Sequence, residues 1–197
     1  KICGITTPED GWYAKECGAD IIGFILGPSK RQTDPSLIYK LKGCDILKAG
    51  VVVTKDGTLD PAIKELLDKG LIDVIQYHGD EQPGDCYAHA FPYYKVLQIK
   101  DEADIKRIRS FHSPRVLIDA FSSHQRGGTG HTIPEQLISL AQKEAPLWLA
   151  GGMGVENVKT IINTFSPELI DAASKLEKSP GIKDHAKVAD FISIIKG

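Results

Sequence analysis

Two ionisable side chains of this sequence stand where short apolar runs give way to glycine or turn residues. Val116-Leu117-Ile118 closes on Asp119, and residues 121–126 then lead into Gly127-Gly128-Thr129-Gly130. At the other end Lys1-Ile2-Cys3-Gly4 reads as a strand that finishes on a thiol. An acid and a base at two strand ends, with glycines that let a phosphate approach the backbone, equip a barrel mouth for proton transfer on a sugar phosphate. Each residue also has a plainer reading. A lone Cys is usually a small core residue, and an Asp after a strand serves as often as a helix cap or loop ion-pair partner. For Asp119 the glycine loop that follows favours chemistry, while Cys3 on its residue type alone reads as core.

Such side chains need a scaffold that brings distant strand ends together. Runs of strand character cover 1–3, 20–25, 49–54, 72–77, 94–99, 115–119, 147–150 and 168–172, with helical patterns between them. Most are continuously apolar, as in Ile21-Ile22-Gly23-Phe24-Ile25 and Leu147-Trp148-Leu149-Ala150, which suits parallel strands covered on both faces. Thr7-Pro8-Glu9-Asp10 supplies an N-cap, a proline at the first helical position and acid in the first turn. Asp34-Pro35 and Asp60-Pro61 repeat the device. Over 60–69, Ile63, Leu66 and Leu67 share one side, with Lys64, Glu65, Asp68 and Lys69 largely elsewhere, and Gly70 stops the helix.

The pattern counts eight strands and eight helices, the last at about 184–196, with no linker or shift of composition. It predicts one (β/α)8 TIM barrel domain over 1–197, an α/β fold, compact against the roughly 250 residues usual for it. An open doubly wound sheet is the runner-up. No run reads as a protected edge strand, which favours closure.

At 197 residues the chain suits one domain with a substantial core. Hydrophobic residues make up 42% and charged ones 25%, and the formal net charge of −2 gives no pull toward nucleic acid or an anionic membrane. No apolar run approaches the roughly 20 residues that span a bilayer, and no signal-peptide pattern opens the sequence. Cys3, Cys17, Cys44 and Cys86 are widely spaced without a CxxC pair. They predict free thiols in a reducing, cytoplasmic compartment rather than a zinc site or a disulfide scaffold.

In a barrel of this kind all strand C-termini share one rim. Cys3 falls there after strand 1, Ser29-Lys30-Arg31 after strand 2 and Gln76-Tyr77-His78-Gly79 after strand 4. Asp119 and the Gly127–Gly130 loop follow strand 6, Gly151-Gly152 strand 7, and Asp171 and Ser174 strand 8. The opposite ends carry ordinary turn residues, so polar and glycine features are segregated onto one face.

Seven segments at these places run in order along the whole chain. They are KICGIT (1–6), GAD..GF (18–24), SKR (29–31), Q.HG.E (76–81), D followed by GGTG (119, 127–130), AGG...ENV (150–158) and S..E...G.KD (174–184). In them the sequence resembles the phosphoribosylanthranilate isomerases of tryptophan biosynthesis. The resemblance implies a (β/α)8 barrel without metal or organic cofactor. It also implies an Amadori rearrangement of N-(5′-phosphoribosyl)anthranilate to 1-(2-carboxyphenylamino)-1-deoxyribulose 5-phosphate.

That reaction needs a proton at the furanose oxygen as the C1′–O bond breaks to a Schiff base. It then needs a base to take the C2′ hydrogen, giving an enolamine that tautomerises to the ketone. By resemblance Asp119 is the general acid and Cys3 the general base. An unperturbed thiol, with a pKa of about 8.5, is only a few per cent thiolate at neutral pH. The substrate-binding candidates are Arg31, His78, Gly128, Gly151, Gly152, Asp171, Ser174 and Lys175.

The phosphate suits backbone N–H groups after strands 7 and 8, where Gly151 and Gly152 carry no side chain and Ser174 adds a donor. The plainer reading of these glycines is a tight turn. Arg31 offers a rigid fork for the anthranilate carboxylate; otherwise Lys30 and Arg31 are a solvated charge pair. His78 either shapes the aromatic pocket or is structural. Asp171 is placed to hydrogen-bond the ribose hydroxyls. His89, His112, His124, His131 and His185 fall in helices or loops as surface residues.

The sequence also departs from the family. Where Val-Ser-Ser-Gly-Val-Glu is usual after strand 8, it has Ala172-Ala173-Ser174-Lys175-Leu176-Glu177. Lys175 in place of glycine either strains a left-handed turn, at roughly 1–2 kcal/mol, or puts a cation beside the phosphate. Tyr77 stands where leucine is common and His131 where lysine is frequent. The chain opens directly on strand 1, where fraying is expected.

Two other readings stand beside the isomerase. A broader-specificity phosphoribosyl aldose–ketose isomerase, like that of the histidine pathway, typically uses two aspartates, which Cys3 argues against. A catalytically silent phosphate-binding barrel or partner domain has only the altered strand-8 loop in its favour. The expected partner is a small phosphoribosyl substrate, not nucleic acid or membrane. The family occurs as monomers, homodimers and a domain fused to indole-glycerol-phosphate synthase, and the sequence fits each.

Overall fold

Local chemistry sets the first helix starts. Thr7 Oγ1 accepts from the Asp10 N–H (3.2 Å), while Asp34 and Asp60 accept from the N–H of Ser36 and Ala62 (both 2.8 Å). Each cap precedes a proline that opens α1 (Pro8–Glu16), α2 (Pro35–Lys40) or α3 (Pro61–Asp68). The computed structural model describes residues 1–88, 90–120 and 134–197. Its further helices are α4 (Pro83–Cys86), α5 (Glu102–Lys106), α6 (Glu135–Ala141), α7 (Val158–Phe165) and α8 (His185–Lys196).

The apolar runs become eight strands. These are β1 (Ile2–Cys3), β2 (Ile21–Ile25), β3 (Leu47–Val52), β4 (Val74–Tyr77), β5 (Tyr93–Ile99), β6 (Val116–Ala120), β7 (Leu147–Leu149) and β8 (Leu169–Ile170). Their order in the sheet is their order in the chain, and every pairing is parallel. Just past β8 the sheet meets its own start. Ile2 pairs with Ala172, Cys3 N–H donates to Ala172 O (2.9 Å), and Ala172 N–H donates to Lys1 O (3.0 Å). This is the eight-stranded α/β barrel expected from the alternation of runs. β1 is held on both sides and Ile2 is buried, so the expected fraying is not seen.

The twofold alternation of a strand decides which side chains face inward. Ile21, Ala49, Tyr94, Val96, Leu117 and Ala150 pack together inside the barrel, with Val74, Trp148 and Leu169 against them. The larger cluster, including Ile22, Phe24, Ile75, Leu97, Ile118 and Leu149, fills the layer between strands and helices. Two residues beyond the inward Val74, Leu117 and Leu169 come Gln76, Asp119 and Asp171. Inward alternation therefore lifts these polar side chains to the mouth.

One element has no counterpart in the sequence expectations. After a 3₁₀ turn at Ser174–Leu176 the chain forms an antiparallel hairpin, β9 (Glu177–Ser179) with β10 (Ile182–Lys183), turning at Gly181 with φ +87°. Two surface expectations also resolve. His112 is exposed, whereas His185 is half-buried, stacked on the Tyr13 ring at 3.9 Å and bonded to Asp10 Oδ1 at 2.8 Å. Among the described residues no helix is long and apolar enough to cross a membrane.

Candidate active site

A cavity of about 390 Å³ opens at the C-terminal ends of the strands. Cys3, Arg31, His78, Asp119, Gly151, Gly152, Asp171 and Ser174 all line it, so the structure gathers residues from β1, β6 and four loops around one space. Ile25, Pro28, Val51, Val53 and Met153 give it an apolar wall. Lys175 is not among the lining residues, and Gly128 with the rest of the GGTG segment lies outside the described residues.

Cys3 faces inward opposite Gly23, its partner in the β1–β2 ladder. The missing side chain there is what makes room for the thiol, since a Cβ on Gly23 would lie 2.8 Å from Cys3 Sγ. The same point is 3.2 Å from Lys1 Nζ, so a buried ammonium shares this corner with the thiol. Lys1 Nζ donates to Asp171 Oδ2 at 2.5 Å. Burial opposes the Lys1 charge, but Asp171, Cys3 and Tyr94 together outweigh it and hold the ammonium above the ordinary lysine value. Burial pushes the Cys3 thiol up, Lys1 opposes that, and Asp171 reinforces it.

Asp119 is buried, with Oδ2 at 3.3 Å from Nε2 of His78. That separation is not an aligned hydrogen bond, as the absence of a bonded partner for Nε2 among the described residues also indicates. His78 Nδ1 lies 3.1 Å from Gln76 Nε2, and the Tyr94 hydroxyl donates to Gln76 Oε1 at 2.6 Å. Among the described residues, Oδ1 of Asp119 and Oδ1 of Asp171 are buried acceptors without a hydrogen-bond partner. Unpaired buried oxygens are costly unless something meets them. Both belong to residues that line the cavity.

Arg31 donates through Nε to both oxygens of Glu177, at 2.8 and 2.9 Å, and among the described residues its two terminal nitrogens bond to nothing. Lys183 Nζ donates to the same carboxylate at 3.0 Å and to Ala173 O at 3.3 Å. Glu177 and Lys183 are both almost fully buried, and burial lowers the Lys183 value despite the opposing pull of Glu177. Gly151 and Gly152 have φ of +89° and +67°, conformations that other residues adopt only with strain. Lys175 takes a right-handed 3₁₀ turn and is absent from the positive-φ residues, so the expected strain does not arise. Its ammonium pairs with Glu156 Oε1 at 2.7 Å.

Sequence reasoning gave no role to Lys1, Gln76, Tyr94, Glu177 or Lys183. Gln76, Glu177 and Lys183 sit inside matched segments, and Lys1 shares the inward face with Cys3 two residues on. Tyr94 carried no signal in an otherwise strand-like run.

The sequence matches the family described as N-(5′-phosphoribosyl)anthranilate (PRA) isomerase over residues 1–194. The chain belongs to that family. It is 37% identical to the N-(5′-phosphoribosyl)anthranilate isomerase of Sulfurihydrogenibium sp., covering 100% of this chain and 98% of the relative. Its backbone is similar to phosphoribosyl anthranilate isomerase from Thermotoga maritima, with TM-score 0.87 at 29% identity, over 100% of this chain and 97% of that one. A phosphoribosyl anthranilate isomerase was solved in complex with reduced 1-(o-carboxyphenylamino)-1-deoxyribulose 5-phosphate. It matches with TM-score 0.83 at 29% identity, over 100% and 97% of the two chains. As a phosphoribosylanthranilate isomerase the chain is an enzyme of tryptophan biosynthesis, and its substrate is a small phosphoribosyl molecule.

Proposed function

We propose that this cavity performs the Amadori rearrangement of N-(5′-phosphoribosyl)anthranilate with Asp119 as general acid and Cys3 as general base, within one catalytic barrel over residues 1–197. The observation that carries it is the meeting of the two groups in one cavity, from strands on different sides of the barrel.

Asp119 gives its proton to the furanose oxygen as the C1′–O bond breaks, and the anthranilate nitrogen lone pair forms the C1′=N bond. The Cys3 thiolate takes the C2′ proton, and the C2′–H electron pair becomes the C1′=C2′ bond of a neutral enolamine. That enolamine gains a proton at C1′ and loses one from the C2′ hydroxyl to reach the ketone. The acid has then lost one proton and the base gained one, which exchange with solvent resets.

The terminal nitrogens of Arg31 take the anthranilate carboxylate, and the apolar wall takes the ring. Oδ1 of Asp171 accepts from ribose hydroxyls, Lys1 holding Oδ2. Gly151, Gly152 and Ser174 receive the phosphate, with Gly128 and His78 completing the binding set. The four unpaired cysteines suit the cytoplasm.

Turnover of N-(5′-phosphoribosyl)anthranilate by the parent, Cys3→Ala and Asp119→Asn proteins tests the roles. Each variant is expected to lose at least about a thousandfold in kcat. Parent-like turnover in either one refutes its assignment.

A further inference from the structure

Between the thiol corner and Asp119 lies a line of polar groups in which Tyr94 and Gln76 have no part in the reaction above. The buried charge of Lys1 bears on the Tyr94 phenol. Tyr94 reaches Gln76 Oε1 at 2.6 Å, Gln76 Nε2 reaches His78 Nδ1 at 3.1 Å, and His78 Nε2 stands 3.3 Å from Asp119 Oδ2. Strand register builds this line. Gln76 and Tyr94 are ladder partners on β4 and β5, and His78 follows Gln76 by two residues, on the same face.

The direction of the protons follows from the Tyr94 end, where the buried hydroxyl donates to Gln76 Oε1. A separation of 2.6 Å lies in the O–H···O range. With its oxygen turned to Tyr94, Gln76 presents its NH₂ to His78, so Nδ1 must accept. The ring proton is then on Nε2.

We infer that Tyr94 and Gln76 are positioning residues that fix His78 as the Nε2–H tautomer, so that it faces Oδ2 of Asp119 and leaves Oδ1 to carry the acid proton. This rests on the acid role proposed for Asp119. Oδ1 is the oxygen with no hydrogen-bond partner among the described residues, as a group that hands its proton to substrate requires. Once the proton has left, the Nε2–H steadies the new carboxylate, closing the 3.3 Å gap as catalytic hydrogen bonds do when the site is engaged.

Imidazole nitrogen NMR on ¹⁵N-histidine-labelled protein tests this, with His78 assigned by the signals missing from His78→Asn. The parent is expected to show a protonated Nε2 and a bare Nδ1. In Tyr94→Phe the freed amide lets both tautomers appear, and kcat falls about tenfold, the loss of one ordinary hydrogen bond, with KM changed less than about twofold. A proton on Nδ1 in the parent overturns the inference. So does a Tyr94→Phe protein with an unchanged tautomer or unchanged kcat. If that variant does not fold, the parent spectrum alone decides. Parent-like turnover by Asp119→Asn would refute the acid role and leave the His78 spectrum as an independent result.

Discussion

The Cys3 thiol has its place because residue 23 has no side chain, and Gly23→Ala removes that room. The new methyl would lie 2.8 Å from Sγ, 3.1 Å from Lys1 Cε and 3.2 Å from Lys1 Nζ. To reach ordinary contact the sulfur must retreat by roughly 0.6 Å or more. It is hemmed in, because Cys3 is buried and its backbone is bonded on both edges of β1. Gly23 is not among the positive-φ glycines, so alanine brings no backbone strain and the effect is steric alone. A base displaced by about 1 Å costs on the order of a hundredfold, so kcat is expected to fall about tenfold to a hundredfold. Overpacking costs about 1–3 kcal/mol of stability, or roughly 2–4 °C of Tm for each kcal/mol in a chain of this size. KM should stay within about threefold, since the proposed phosphate and carboxylate sites lie elsewhere. Gly84→Ala, where an added Cβ meets nothing within 4 Å, is the control and should leave kcat unchanged. Steady-state kinetics and thermal unfolding measure both. A Gly23→Ala protein with parental kcat would refute the claim that this corner holds the base.

Further outcomes follow from the same geometry. In the proposed mechanism the productive state has the acid protonated and the thiol ionised, so it carries one proton in all and disappears as pH rises through the Cys3 value. Burial raises that value, so kcat/KM should hold on the alkaline side to beyond the ordinary thiol range before it falls. In Asp119→Asn, which needs only the thiolate, the residual rate should instead climb with pH through the same region; equal signs in the two profiles would contradict the assignment. Glu177→Gln removes the carboxylate that aims Arg31 and neutralises buried Lys183. It should raise KM about tenfold and cost about 3–5 kcal/mol in denaturant unfolding, and an unchanged KM would show that Arg31 needs no such support. Lys175→Ala breaks only a half-exposed pair with Glu156. Stability should move by less than about 1 kcal/mol and KM by less than about twofold; a tenfold rise in KM would mean that Lys175 reaches the phosphate after all.

The parts of the fold that rest on local pattern were legible in the residues. Proline after Thr7, Asp34 and Asp60 marks the helix starts because capping and a fixed φ act within three residues. Apolar runs mark the strands because both faces of a parallel sheet are covered. Once the strands were placed, the rim followed from topology, and Cys3, Arg31, His78, Asp119 and Asp171 came together at it. What escaped the sequence depends on register and on pairs far apart in the chain. Tyr94 finds Gln76 only through the β4–β5 pairing, and Arg31 finds Glu177 across 146 positions. The β9–β10 hairpin escaped because its inward residues are Glu177 and Lys183, a buried ion pair in strands too short for a hydrophobic period to show. Lys175 was read in the family's turn, whereas its neighbours give it a right-handed one.

The most direct measurement is a crystal structure of this protein with reduced 1-(o-carboxyphenylamino)-1-deoxyribulose 5-phosphate bound. The thiol sulfur should then lie within about 4 Å of C2′, and the Asp119 carboxylate within about 3 Å of the sugar oxygen released on ring opening. A ligand seated with either group out of reach of the pentose would contradict the account.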